Sequence, residues 1–231
     1  MKPFDPTVEI LPPNYAGNDF MAVFRAKTAA TKGEFETSKQ FQQRASSLGG
    51  DLYAFRFAAG LKYDADRQAF IVHPYITGVY TGETLYSRSS SDSALLIRDS
   101  DVVTGHYLGS NAMGAKVRVR MDTETNLAIV VPGDLTSQPN DLSVRMSPEK
   151  ARRDKAALAF LYVCQPIARD TGITKTVTVH IEPEIATPLE RTLVFRYIFV
   201  DHAEIWIFDK NTGEILLKHL LGQGPKTDSP S

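Results

Sequence analysis

The feature that most constrains this chain is the stretch from Leu193 to Lys218, which carries three apolar runs, LVFRYIFV, EIWIFD and EILLK. The spacing predicts three successive antiparallel strands, separated by a connection at Val200–Glu204 and a turn at DKNTG, Asp209 to Gly213. A chain with such a meander must bury one or both of its faces in a packed sheet. Its single Trp, Trp206, falls in the middle strand and is expected in the core.

Other segments have the same character. KVRVRMD alternates cleanly, with Val117, Val119 and Met121 on one face and Lys116, Arg118 and Arg120 on the other. NLAIVV, Asn126 to Val131, is expected to return from a tight turn at DTET. DLYAFRFAAGLKY leads through the turn DADRQ into AFIVHPYI, which predicts a hairpin. A third strand is expected over Gly78 to Tyr86, then a polar loop at SRSSSDS, Ser87 to Ser93. ALLIRD and DVVTGHYLG are short strand candidates, and TKTVTVHIE, Thr174 to Glu182, alternates again.

Two helices are predicted. The first covers 31–48, where TKGE and TSKQ both match a capping box and Phe41, Ala45 and Leu48 form an apolar stripe. The second starts at Ser147 with Pro148 at its first position and runs through EKARRDKAALAFLYVCQ to Pro166. Cys164 would lie inside it as a buried, inert thiol.

These elements predict an α+β fold of two helix-plus-antiparallel-sheet subdomains. The boundaries are an extended tether over 1–19, subdomains over 20–134 and 135–221, and a disordered tail over 222–231. Pro3, Pro6, Pro12 and Pro13 keep the first segment out of helix. The turn-rich PGDLTSQPND, Pro132 to Asp141, marks the boundary between subdomains. The shared plan of the halves raises a divergent duplication as an expectation.

Composition narrows the function. The chain has 231 residues with 26 Lys plus Arg and 27 Asp plus Glu, a net charge of −1. Such a balance offers no global attraction to nucleic acid or to an acidic membrane. No run of about 18 apolar residues is present to form a membrane-spanning helix. A single Cys excludes an internal disulfide. The first residues lack the apolar core of a signal peptide, which leaves a cytoplasmic protein or the mature part of an exported one.

No catalytic motif stands out. Asp64, Asp66 and Gln68 imitate the start of a calcium loop, but its sixth and twelfth positions hold Ala69 and Tyr75, so a hairpin turn explains them. Asp209, Asn211 and Gly213 are explained by a bulged turn. His73, His106, His180, His202 and His219 show no metal-binding spacing, so neither metal nor cofactor is expected. Asp201-His202 is the best titratable cluster and fits an exposed connection. The row Lys116, Arg118, Arg120 is either a solvated face or a contact strip for an acidic protein partner. The basic run at Lys150, Arg152, Arg153 and Lys155 is offset by Glu149 and Asp154 and fits a solvated helix face.

Three segments carry a resemblance. KGEFETSKQFQQR (Lys32 to Arg44), LKYDADRQAFIV (Leu61 to Val72) and EIWIFDKNTGEILLK (Glu204 to Lys218) resemble the KxEFET helix, YDAD hairpin and C-terminal W-x-F-x-x-x-TGE hairpin of uncharacterised Gram-negative exported proteins and lipoproteins. Some of those act as periplasmic immunity proteins. The resemblance implies a non-enzymatic periplasmic binding protein, with a cognate secreted toxin as partner and a lipid anchor in the precursor. It is expected to be a monomer when free. The alternatives are an accessory envelope component of a secretion or conjugation machine, and a hydrolase with an unrecognised site.

Overall fold

The computed structural model describes residues 2–30, 32–82, 88–110, 114, 116–136, 141–169, 172–184 and 186–221. Three helices occur among them: α1 (Phe20–Thr28), α2 (Ser38–Gly49) and α3 (Pro148–Asp154). The strands are β1 (Tyr53–Phe57), β2 (Ala59–Asp64), β3 (Ala69–Pro74), β4 (Ile76–Tyr80), β5 (Arg88–Ser110), β6 (Lys116–Pro132), β7 (Leu142–Arg145), β8 (Leu158–Pro166), β9 (Thr174–Ile181), β10 (Leu189–Asp209) and β11 (Ile215–Leu220). The fold is α+β and dominated by sheet. No helix among the described residues is long and apolar enough to cross a membrane.

One sheet runs in the order β1-β8-β10-β6-β5-β4, with β9 and β11 also paired to β10. A smaller sheet has the order β2-β3-β7. Strand β10 organises the molecule. Its first half lies between β6, which runs parallel to it, and β9. Its second half lies between β8 and β11, both antiparallel. A register shift between Val200 and Ala203 marks the change of neighbours. Such a bulge bends a strand and lets one chain serve two parts of a sheet.

This strand corrects three expectations. LVFRYIFV and EIWIFD are one strand, and the expected connection at 200–204 is its bulge, with Asp201 and His202 exposed on it. DTET is no turn, because Asp122 to Thr125 pair with both β5 and β10 and continue β6. The strands of 20–134 and 135–221 also interleave, since β1 pairs β8 and β6 pairs β10. The turn-rich segment at 132–141 therefore separates no two sheets.

The second helix is also corrected. Only Pro148–Asp154 is α-helical, with Ser147 as its cap, and a short 3-10 turn follows at Lys155–Ala157. Leu158–Pro166 is a strand, buried along nearly its whole length. An apolar run of this kind fits a two-sided central strand as well as a helix end, and pairing to β1 and β10 decides it. Cys164 sits there fully buried, and burial pushes its thiol well above the usual range.

The first predicted helix begins later, at Ser38, capped by Thr37 in a reciprocal box with Gln40. Phe41 and Ala45 are buried as the stripe requires. Helix α1 has no counterpart among the predictions. Asp19 caps it through the Ala22 amide, and Phe20, Val23, Phe24 and Lys27 are buried on one stripe. The expected loop at 87–93 is, from Arg88 on, the start of β5, with Asp92 and Ser93 paired to β6. The predicted third strand is observed over 76–80, and positions 83–86 of its expected span lie outside the described residues, as does the tail 222–231.

The segment expected as an extended tether packs against the sheet. Phe4 and Leu11 are buried in one cluster with Trp206, Phe208 and Leu161. The Phe4 ring meets Trp206 edge-on at 5.2 Å. Lys218 lies 3.7 Å from the Trp206 ring centroid and donates to the carbonyls of Pro6 and Val8. The segment passes so close to the β10–β11 turn that a Cβ on Gly213 would overlap the Leu11 carbonyl, and Gly213 has φ +78°. A glycine is required there for both reasons.

Candidate interaction arm

β5 and β6 form a long hairpin. Register pairs run from Asp92↔Pro132 to Ser110↔Lys116. The first pair between β6 and β10 is at Arg120. Residues 107–110 and 116–119 therefore extend beyond the rest of the sheet as an arm.

Directly opposed residues share a face. Lys116, Arg118 and Arg120 stand opposite Ser110, Leu108 and His106, and Asp122 and Glu124 follow on the same face. The predicted basic row is thus present on one face, but its members differ. Arg120 donates through Nε to Asp122 Oδ1 at 2.9 Å, and its backbone amide binds the Pro188 carbonyl. Thr104 donates to the same carboxylate oxygen. The Arg120 hydrogen bond, helped by Thr104, holds the Asp122 carboxyl below its ordinary range. Arg191 reaches Glu124 at 2.8 Å. Lys116 and Arg118 are exposed and have no side-chain partner among the described residues.

The other face of the arm carries a hollow of ≈ 230 Å³ lined by Tyr107, Val117, Val119, Pro183, Glu184 and Pro188. The Tyr107 hydroxyl donates to Glu190 at 2.8 Å, which fixes the ring as one wall and raises the phenol above its usual range. The Tyr107–Glu190 contact joins segments far apart in sequence, and only the alternation of KVRVRMD signalled this site.

A larger open cleft of ≈ 720 Å³ lies between α1 and strands β1, β5 and β6, lined in part by Asp19, Phe20, Arg56, Phe57, Asp101 and Leu127. The Asp19 carboxylate there is engaged in capping α1. His73 pairs with Asp141 at 2.5 Å, and His202 lies 3.5 Å from Asp201. Among the described residues no group of three or more His, Cys, Asp or Glu is arranged to hold a metal ion. Asp64 accepts from the amides of Asp66 and Arg67 within the β2–β3 turn, and Asp209 does the same for Asn211 and Thr212 in the last turn. Both loops therefore use their acids as turn acceptors. No protein-family model, curated protein or solved structure matches this chain.

Proposed function

We propose that this protein is a non-enzymatic periplasmic binding protein, an immunity-type inhibitor that holds an acidic surface of a secreted antibacterial toxin with the tip of the β5–β6 arm. The observation that carries this is the pair Lys116 and Arg118. Both cations are exposed, lie on one face beyond the last β10 pairing, and have no partner among the described residues. Unpaired cations on a projecting hairpin attract an acidic partner and speed its encounter. The hollow beside Tyr107 suits an apolar anchor from that partner, of the kind that supplies most of the affinity in protein contacts. The likeness of the EFET, YDAD and TGE segments to Gram-negative exported proteins, some of which act as periplasmic immunity proteins, supports the periplasmic reading.

Co-expression with the product of the neighbouring gene tests the proposal. The expected result is rescue of growth and a soluble one-to-one complex, both lost when Lys116→Glu and Arg118→Glu are combined. Co-purification with membrane secretion components instead would favour an accessory envelope role. Absence of both complex and rescue would remove the immunity function.

A further inference from the structure

Beyond the pairing with β4, which reaches Leu95, strand β5 has β6 as its only partner among the described residues. Residues 102–110, VVTGHYLGS, thus form an open sheet edge. Natural edges are usually blunted by Lys, Pro or inward-pointing charge. This one contains none, and it is apolar: Val102 is 52%, Val103 71%, Tyr107 40% and Leu108 66% exposed.

Those four residues are arranged symmetrically about Gly105. An antiparallel pairing of two copies centred on Gly105 sets Val102 against Leu108 and Val103 against Tyr107 of the second copy. Val102 and Leu108 share one face, and Val103 and Tyr107 the other. Every exposed apolar residue of the edge then meets an apolar residue on its own face. Gly105 meets Gly105, so no side chain separates the backbones at the centre.

Charge follows the same symmetry. On the cationic face Arg118 stands beside Leu108, and Glu124 beside Val102. Pairing about Gly105 puts Arg118 of one copy in the same cross-strand row as Glu124 of the other. Arg120 shares a row with Asp122 in the same way. These rows span three strand spacings, about 14 Å, so the cationic tip of each hairpin runs beside the acidic base of the other. We infer that two copies of this chain associate by antiparallel addition of β5 to β5 about Gly105, extending the sheet across a two-fold axis. Tyr107 also walls the hollow and Arg118 is a tip cation, so the two surfaces adjoin, but the pairing is argued from the edge of β5 and does not depend on the toxin-binding proposal.

A Gly105→Cys variant tests the register. Opposed Cα atoms in an antiparallel pair lie about 4.5–5.5 Å apart, within the range of a disulfide. The only native thiol, Cys164, is fully buried. Mild oxidation of Gly105→Cys should give a covalent dimer, and Val102→Cys should not. Sedimentation velocity of the wild-type chain should show a concentration-dependent dimer. Combining Val103→Lys with Leu108→Lys should raise its dissociation constant roughly tenfold or more, with an unchanged circular dichroism spectrum. A wild-type chain that stays monomeric, a dimer that survives the double Lys substitution, or Val102→Cys cross-linking as readily as Gly105→Cys would each overturn the inference.

Discussion

Arg120 donates its Nε–H to Asp122 Oδ1 at 2.9 Å, two residues along the same face of β6. This contact splits a row of three cations into one that supports the arm and two, Lys116 and Arg118, that have no side-chain partner among the described residues. The row therefore has two separable roles. Arg120→Ala should lower the melting temperature and let the Asp122 carboxyl move back up toward its ordinary range, readable by NMR titration. Lys116→Ala and Arg118→Ala should leave the melting temperature within experimental error. Equal effects at all three positions would contradict the division.

The Tyr162 hydroxyl is buried and has no hydrogen-bond partner among the described residues, and its ring stacks on Phe57 at 3.7 Å. An orphaned buried hydroxyl carries a desolvation penalty of roughly 1–3 kcal/mol. Tyr162→Phe removes the oxygen and keeps the stack. The expected outcome in urea unfolding is a stability equal to or above wild type. A clear loss would mean that the hydroxyl is satisfied in solution.

The docked N-terminal segment should be part of the cooperative unit. Phe4→Ala removes a ring packed against Trp206 and should cost about 3 kcal/mol in urea unfolding. Gly213→Ala should destabilise as well, because its φ and the approach of Leu11 both oppose a Cβ. A Phe4→Ala variant as stable as wild type would show that the segment is detached in solution.

Helix α2 supplies a pH test. Arg44 grips Glu36 through both carboxylate oxygens at 2.8 and 2.9 Å, and the Gly33 amide adds a third bond. The Arg44 hydrogen bonds bring the Glu36 carboxyl from 4.5 down to about 2. A depressed carboxyl stabilises the fold above its unfolded value and loses that contribution as pH falls from about 4.5 toward 2. Glu36→Gln should flatten the fall in melting temperature across that window and leave a smaller difference from wild type at its lower end. An unchanged pH profile would place no stability in this contact.

How far the sequence led depends on the range of the interactions. The Thr37 cap with Gln40, the β2–β3 hairpin at DADRQ and the DKNTG turn were legible because their bonds are local. Strand β8 reads in the sequence as a helix end because LAFLYVCQ is apolar on both faces and its partners, β1 and β10, are distant in sequence. DTET resembled a turn by composition, yet pairing on both sides carries β6 straight through it. Helix α1 did carry a signal, since Asp19 precedes Phe20, Val23 and Phe24 at helical spacing. In the arm, the cations were visible as an alternating row. The loss of Arg120 to Asp122 and the wall made by Tyr107 and Glu190 depend on side-chain geometry that alternation alone does not encode.

The arm is the centre of the functional proposal, and its tip cations can be tested in one titration. The association rate with the proposed partner, the product of the neighbouring gene, measured against ionic strength, should fall steeply with salt for the wild type. With Lys116→Glu and Arg118→Glu combined, it should fall by roughly tenfold or more at low salt and lose most of its salt dependence. A double variant that associates as fast as wild type, with the same salt slope, would contradict an interaction through this arm.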